Sequence, residues 1–293
     1  MNEHRPGLVL RPDPSDPRLT ESVSGVNERG ERIDTRVVVE RPLTLYLNAQ
    51  EIVTMMTIAD YPEYLAIGYL LNQAMLRPDD VVTEVQHDED LAVVVVRTER
   101  QTDYEDKLRK KTQTSGCAQG TAFGDLMQAL DGVDLPKSPL RTSWLYRLTN
   151  AINTTPSLYL DAGAIHGCVL AREDRPLVYM EDVGRHNAVD KIAGWMFRHG
   201  EGGGDKIFYT TGRLTSEMVL KTVRMGIPVL VSRSGFTAWG VDLARQAGLT
   251  LIGRARGKRF VALAGEDRIV FDQDLAYVED ESAKHRRKGA GDE

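Results

Sequence analysis

Cysteine is nearly absent from this chain: Cys117 and Cys168 are the only two among 293 residues. Two thiols exclude a disulfide scaffold and any all-cysteine metal site within one chain, so sulfur chemistry has to rest on a single side chain. No Gly-x-x-x-x-Gly-Lys-Ser/Thr occurs, and the glycines between Gly200 and Gly204 precede a predicted strand instead of opening a helix, which argues against a phosphate-binding loop of that type. No run approaches the ~18 apolar residues of a membrane span. The N-terminus, with Pro6, Pro12, Pro14 and Pro17, lacks the apolar region of a signal peptide. A cytoplasmic protein without membrane insertion is therefore expected. A net charge of −6 gives no general attraction to nucleic acid, and the basic Lys284 to Lys288 reads as a solvated end.

What is present suffices for a real core: 41% of the residues are apolar, and the length suits one large or two modest domains. Residues 1–30, rich in Pro, Gly and charge, are expected to be disordered. Residues 31–136 read as a small α+β domain. Val37 to Leu47 and Glu51 to Ile58 form a strand pair, Asp60 to Met75 an amphipathic helix, and Val81 to Gln86 with Leu91 to Arg97 a second hairpin. A short helix is predicted from Phe123 to Leu130. From 137 to 278 strands alternate with helices, which predicts a layered α/β domain with parallel neighbours, and 279–293 reads as a charged tail.

The small domain ends in Thr-Gln-Thr-Ser-Gly-Cys-Ala-Gln-Gly-Thr, from Thr112 to Thr121, preceded by the cations Lys107, Arg109, Lys110 and Lys111. Nearby positive charge lowers a thiol's pKa and favours the thiolate. Free cysteines are also among the most buried residues; the two glycines and the hydroxyl and amide neighbours argue against burial of Cys117. Cys168, at the start of a predicted core strand, reads as a buried hydrophobe.

Three predicted strand-to-helix junctions concentrate polar groups. The first, Glu181 to Lys191, contains Arg185, His186 and Asn187 in a density rarely needed for folding. The second, Thr210 to Glu217, contains Gly212, Arg213 and Ser216, and the third, Ser232 to Thr237, contains Ser232, Ser234 and Thr237. In a layered α/β sheet ligands bind beyond the C-terminal strand ends, so the three are expected to converge on one pocket. With Arg233, Arg254, Arg256 and Arg259 added, the pocket suits a phosphate or pyrophosphate.

Glu-Asp-Val-Gly-Arg-His-Asn-Ala-Val-Asp-Lys (181–191), Thr-Gly-Arg-Leu-Thr-Ser-Glu-Met (211–218) and Ser-Arg-Ser-x-x-Thr (232–237) resemble the hallmarks of the FdhD family of sulfur carrier proteins for formate dehydrogenase, and the resemblance runs from about Arg36 to Phe271. It implies a cytidine deaminase-like three-layer C-terminal domain, a homodimer, and a sulfurtransferase that accepts persulfide sulfur from a cysteine desulfurase on Cys117. The sulfur would pass to the molybdenum or tungsten bis(molybdopterin guanine dinucleotide) cofactor as bound substrate, with formate dehydrogenase as the recipient. It further implies cofactor binding along Phe260, Val261, Ala262, Leu263, Ala264 and Gly265, and no metal ligands in the protein itself. Many members carry Cys-x-x-Cys; here the run is Cys117-Ala118-Gln119-Gly120, which keeps open a non-catalytic chaperone that binds the cofactor without moving sulfur. A zinc deaminase is argued against by His166-Gly167-Cys168, which lacks the His-x-Glu glutamate, and by the absence of any Cys-x-x-Cys.

Overall fold

The structure, a computed structural model, describes residues 10–100, 112–114, 117–121, 130, 133 and 135–273. The predicted helix before Leu130, the cations of 107–111 and the tail from 279 lie outside the described residues.

The N-terminal part holds β1 (Thr20–Val26), β2 (Arg32–Val38), β3 (Arg41–Leu47), β4 (Gln50–Thr57), α1 (Pro62–Asn72), β5 (Val82–Asp88) and β6 (Val93–Thr98). The last four strands form a sheet ordered β4-β3-β6-β5, with β3 and β6 parallel and both outer pairs antiparallel. Its alternating apolar residues, Leu43, Leu45, Leu47, Val94 and Val96, face Leu65, Tyr69 and Leu70 of α1. β1 and β2 pair as a separate hairpin.

This hairpin corrects the expectation of disorder for the segment reaching residue 30, of which 10–30 are described. Composition showed little to bury, and β1 is indeed mostly exposed, but two apolar anchors are enough to fix it. Leu19 is buried against Ile58 and Leu158, and Leu10 bridges to the core strand at Val178, with the Tyr179 N–H donating to the Leu10 carbonyl at 2.9 Å.

β7 (Thr112–Thr114) and β8 (Cys117–Thr121) form a two-stranded antiparallel hairpin with Thr114 opposite Cys117. Beyond it come β9 (Leu140–Arg141), α2 (Thr142–Thr154), α3 (Leu158–Ala162), β10 (His166–Arg172), β11 (Arg175–Asp182), α4 (Arg185–His199), β12 (Lys206–Thr210), α5 (Ser216–Arg224), β13 (Val229–Ser232), α6 (Ala238–Gln246), β14 (Thr250–Arg256), β15 (Arg259–Ala264) and β16 (Ile269–Val270).

Six of these strands form one sheet ordered β11-β10-β12-β13-β14-β15. Its strands are apolar on both faces because both are covered. Leu170, Met180, Phe208, Leu230 and Leu251 pack under α4, α5 and α6, while Val169, Tyr179, Ile207, Val231 and Ile252 pack against α2. The expected parallel pairing holds only for β12, β13 and β14; β10–β11 and β14–β15 are hairpins with tight turns, which permit only antiparallel neighbours. Asp272 closes the layer and caps the start of α2 by accepting from the Ser143 N–H at 2.8 Å, and it also accepts from the hydroxyls of Ser143 and Thr142.

The two parts meet where α1 crosses α4 with almost no side chain between them. A Cβ at Gly68 would lie 1.7 Å from the Asp190 carbonyl oxygen, and one at Gly194 would lie 1.9 Å from that of Tyr64.

Candidate functional site

β10 is antiparallel to both β11 and β12, and β12, β13 and β14 run parallel. The ends of β11, β12, β13 and β14 and the beginning of β10 therefore share one edge of the sheet. A cavity of about 360 Å³ opens there. It is lined by Val183 after β11, Thr211 after β12, Arg233 and Ser234 after β13, Arg256 at the end of β14 and His166 at the start of β10, with Tyr159 and residues 163–165 forming one wall.

The turns on this edge hold one another. Ser232 donates through Oγ to the Gly212 carbonyl at 2.6 Å and accepts from the Ser234 N–H at 2.9 Å. The Leu214 N–H donates to the Gly235 carbonyl at 2.9 Å. Thr211 accepts through Oγ1 from the Gly167 N–H at 3.1 Å and lies 3.3 Å from His166 Nδ1. Arg233 rests over the Tyr159 ring, 5.1 Å from its centroid. The cavity lining thus includes two arginines, the hydroxyl-bearing Thr211, Ser234 and Tyr159, and a histidine. Burial, together with Arg185 and Arg213, holds the His166 pKa below its ordinary value. Such a donor set receives a multiply charged oxyanion.

The predicted site residues divide among different places. Of those from the junctions, Ser234 is on the cavity lining, while Gly212 and Ser232 are buried just behind it. Thr237 caps α6 by accepting from the Gly240 N–H at 3.2 Å. Arg213 is exposed and Ser216 half-buried, both outside the lining. The arginines are split by an irregularity in β14, where Arg254 takes the left-handed φ of 54° and the register with β15 shifts. Arg256 stays on the first cavity, whereas Arg254 and Arg259 face a second, more apolar one of about 720 Å³. That second cavity also contains Phe260, Val261 and Ala262 of the predicted segment 260–265, with Tyr146, Ile269 and Phe271. Tyr159 and the turn after it escaped the sequence reading; the signal was Ser157, which accepts from the Leu160 N–H, and Gly163, which ends α3 at φ 75°.

Arg185, His186 and Asn187 are buried and outside the cavity lining, and most of the first junction serves another purpose. Asp182 accepts from Asn187 Nδ2 at 2.9 Å and from Thr57 of β4, and pairs with Lys191 Nζ at 2.7 Å. Lys191 also pairs with Asp60 ahead of α1, and Asn187 donates to the Met56 carbonyl at 2.8 Å. Asp190 accepts from Asn72 of α1 at 2.7 Å and from Lys221 of α5 at 2.8 Å. Burial alone would lower the Lys191 pKa, but Asp182 and Asp60 raise it overall, while burial raises Asp190 despite Lys221. His186 lies 3.2 Å from Glu217, and burial and Lys221 lower its pKa to about 3. The polar density read as chemistry is here largely a buried joint between the two parts. Among the described residues no cluster of three or more His, Cys, Asp or Glu is placed to hold a metal ion, and no helix is long and apolar enough to cross a membrane.

The model of the FdhD/NarQ family matches residues 38–270. The chain belongs to the FdhD/NarQ family. The resemblance read from the three junction motifs holds at that level. The Sulfur carrier protein FdhD of Wolinella succinogenes is 31% identical over 230 residues, 76% of this chain and 78% of that protein. Its namesake from Bacillus subtilis is 29% identical over 252 residues, covering 83% and 94%. A crystal structure from Desulfotalea psychrophila, described as a formate dehydrogenase accessory protein, superposes with a TM-score of 0.69 at 27% identity, covering 86% of this chain and 98% of that one.

The two cysteines of this FdhD/NarQ chain stand in different settings. Cys168 is fully buried in β10, 3.4 Å from the Thr210 hydroxyl, and burial pushes its thiol up to about 12. Cys117 begins β8, in a hairpin of which only the backbone pairing is described.

Proposed function

We propose that this chain is a sulfur carrier. Cys117 takes one sulfur as a persulfide from a cysteine desulfurase and passes it to the molybdenum or tungsten bis(guanine dinucleotide) cofactor destined for formate dehydrogenase, the cofactor being substrate. The observation that carries this reading is the sealing of Cys168: with one of the two thiols buried and held protonated, the sulfur falls to Cys117. Support comes from the family, from relatives named as sulfur carriers and from a structural relative described as a formate dehydrogenase accessory protein.

Loading is a thiol exchange. The Cys117 thiolate attacks the outer sulfur of the donor persulfide, that S–S bond breaks as the new one forms, and the desulfurase leaves as its thiolate with no net redox change. The cavity at the sheet edge supplies the grip for the substrate: Arg233 and Arg256 bind phosphate oxygens of a nucleotide end, and the Thr211 hydroxyl and His166 hydrogen-bond the same group. Segment 260–265 contributes through the aromatic second cavity. The same reading takes the three-layer unit as a cytidine deaminase-like fold without deaminase chemistry, working in the cytoplasm as a homodimer.

Intact-protein mass spectrometry after incubation with a cysteine desulfurase and cysteine tests the proposal. A reducible gain of one sulfur atom is expected in the wild type and in Cys168→Ala and not in Cys117→Ala. No gain in the wild type with an active desulfurase overturns it in favour of the cofactor chaperone, which Cys117→Ala would leave able to activate formate dehydrogenase.

A further inference from the structure

Tyr159, the aromatic wall of the anion cavity, sits on a helix too short to hold itself. α3 has five residues, Leu158–Ala162, and helices of that length are marginal without outside support. The support comes from Glu181, the penultimate residue of β11. Its carboxylate is fully buried and accepts three hydrogen bonds: Oε2 from the Leu158 N–H at 2.8 Å, and Oε1 from the Tyr159 N–H at 2.8 Å and the Tyr179 hydroxyl at 2.9 Å. These satisfy the first N–H groups of α3, which helix geometry leaves without partners. The acceptor is anchored in the sheet whose edge forms the rest of the cavity. Glu181 is outside the cavity lining, so it acts only through what it holds.

We propose that Glu181 is a positioning residue of the anion cavity, fixing α3 so that the Tyr159 ring carries the Arg233 guanidinium in its binding position. The proposal rests on the nucleotide-binding reading of the cavity. An arginine left to itself ranges over many rotamers, and stacking on a fixed ring removes part of that freedom before ligand arrives. Glutamine at 181 keeps the size but has one acceptor oxygen. Its NH2 group would face a backbone N–H, leaving that buried donor without a partner and loosening the first turn of α3. Affinity falls although no group touching the ligand has changed.

The test is GDP affinity by isothermal titration calorimetry in wild type, Arg233→Ala, Tyr159→Ala, Glu181→Gln and the Tyr159→Ala/Glu181→Gln double variant, with urea stability measured on each. Glu181→Gln is expected to weaken GDP binding about tenfold in the wild-type background and less than twofold in the Tyr159→Ala background. Its stability loss is expected to be the same in both, because the stranded N–H remains. A merely structural role gives equal affinity losses in the two backgrounds, and that result overturns the proposal. Unchanged GDP affinity in Glu181→Gln, with Arg233→Ala weakened, overturns it while leaving the nucleotide reading intact. No GDP binding by the wild type overturns both. If Glu181→Gln fails to fold, Tyr179→Phe removes the hydroxyl donor to Oε1, together with that hydroxyl's hydrogen bond to Ser157, and serves instead, with a two- to threefold loss expected in the wild-type background alone; no loss overturns the proposal.

Discussion

Lys221→Met leaves Asp190 buried with Asn72 as its one remaining hydrogen-bond partner among the described residues. In the intact chain the Asp190 carboxylate accepts from Lys221 Nζ at 2.8 and 3.0 Å and from Asn72 at 2.7 Å, and all three side chains are essentially inaccessible to water. Methionine fills the lysine's volume and removes the charge. Breaking a buried pair from one side costs about 3–5 kcal/mol, a large share of the roughly 5–15 kcal/mol available to a folded domain. The loss also has a pH signature. Burial already raises Asp190 against the pull of Lys221, and without the ammonium the native state retains a proton that the unfolded state releases above about pH 4. Stability of the variant therefore falls as pH rises, by up to about 1.4 kcal/mol per unit, until the native carboxylate ionises. Asp190→Leu/Lys221→Met removes both charges and is expected to lose only about 1–3 kcal/mol for the stranded Asn72 amide. Urea unfolding followed by tryptophan fluorescence at pH 5, 6, 7 and 8 measures both. A single variant losing under about 1 kcal/mol, or a double variant no more stable than the single, would refute the argument.

His186, with its pKa lowered to about 3 chiefly by burial, favours the fold fully above about pH 6.5 and progressively less as pH falls toward 3. His186→Leu should flatten the dependence of the urea midpoint between pH 7 and 5, and an unchanged slope contradicts this. Gly68→Ala forces a methyl to within 1.7 Å of a carbonyl oxygen and should cost about 3 kcal/mol by calorimetry, whereas Gly25→Ala, with no atom within 4 Å, should cost less than about 1 kcal/mol. Iodoacetamide at pH 8 should modify Cys117 in the folded chain and Cys168 only in denaturant, because the Cys168 thiol is pushed up to about 12; peptide mapping showing Cys168 modified in the native protein would contradict its burial.

The alternation of strand and helix from residue 142 onward was legible because each face of the central strands carries its own apolar set. The site edge followed from it, since strand ends and glycine turns can be read along a chain. The role of Glu181 to Lys191 could not be read, because what distinguishes a joint from a site is the partner. Those partners, Thr57 and Asp60, lie 125 and 131 positions away. The division of the arginines was hidden by one left-handed residue at Arg254, and α3 by its five-residue length. The β1 hairpin was missed because two leucines anchor it and composition averages them away.

The joint between α1 and α4 can close only after a long stretch of further synthesis. Lys191 is made 131 positions after Asp60, which at about 5–20 residues per second is a wait of roughly 7–26 seconds during synthesis. Through that interval Gly68 has no opposing backbone, and Asp60 and Asn72 lack their cationic and carboxylate partners. Slower translation between codons 72 and 191 therefore lengthens the time for which these buried groups stand without their partners.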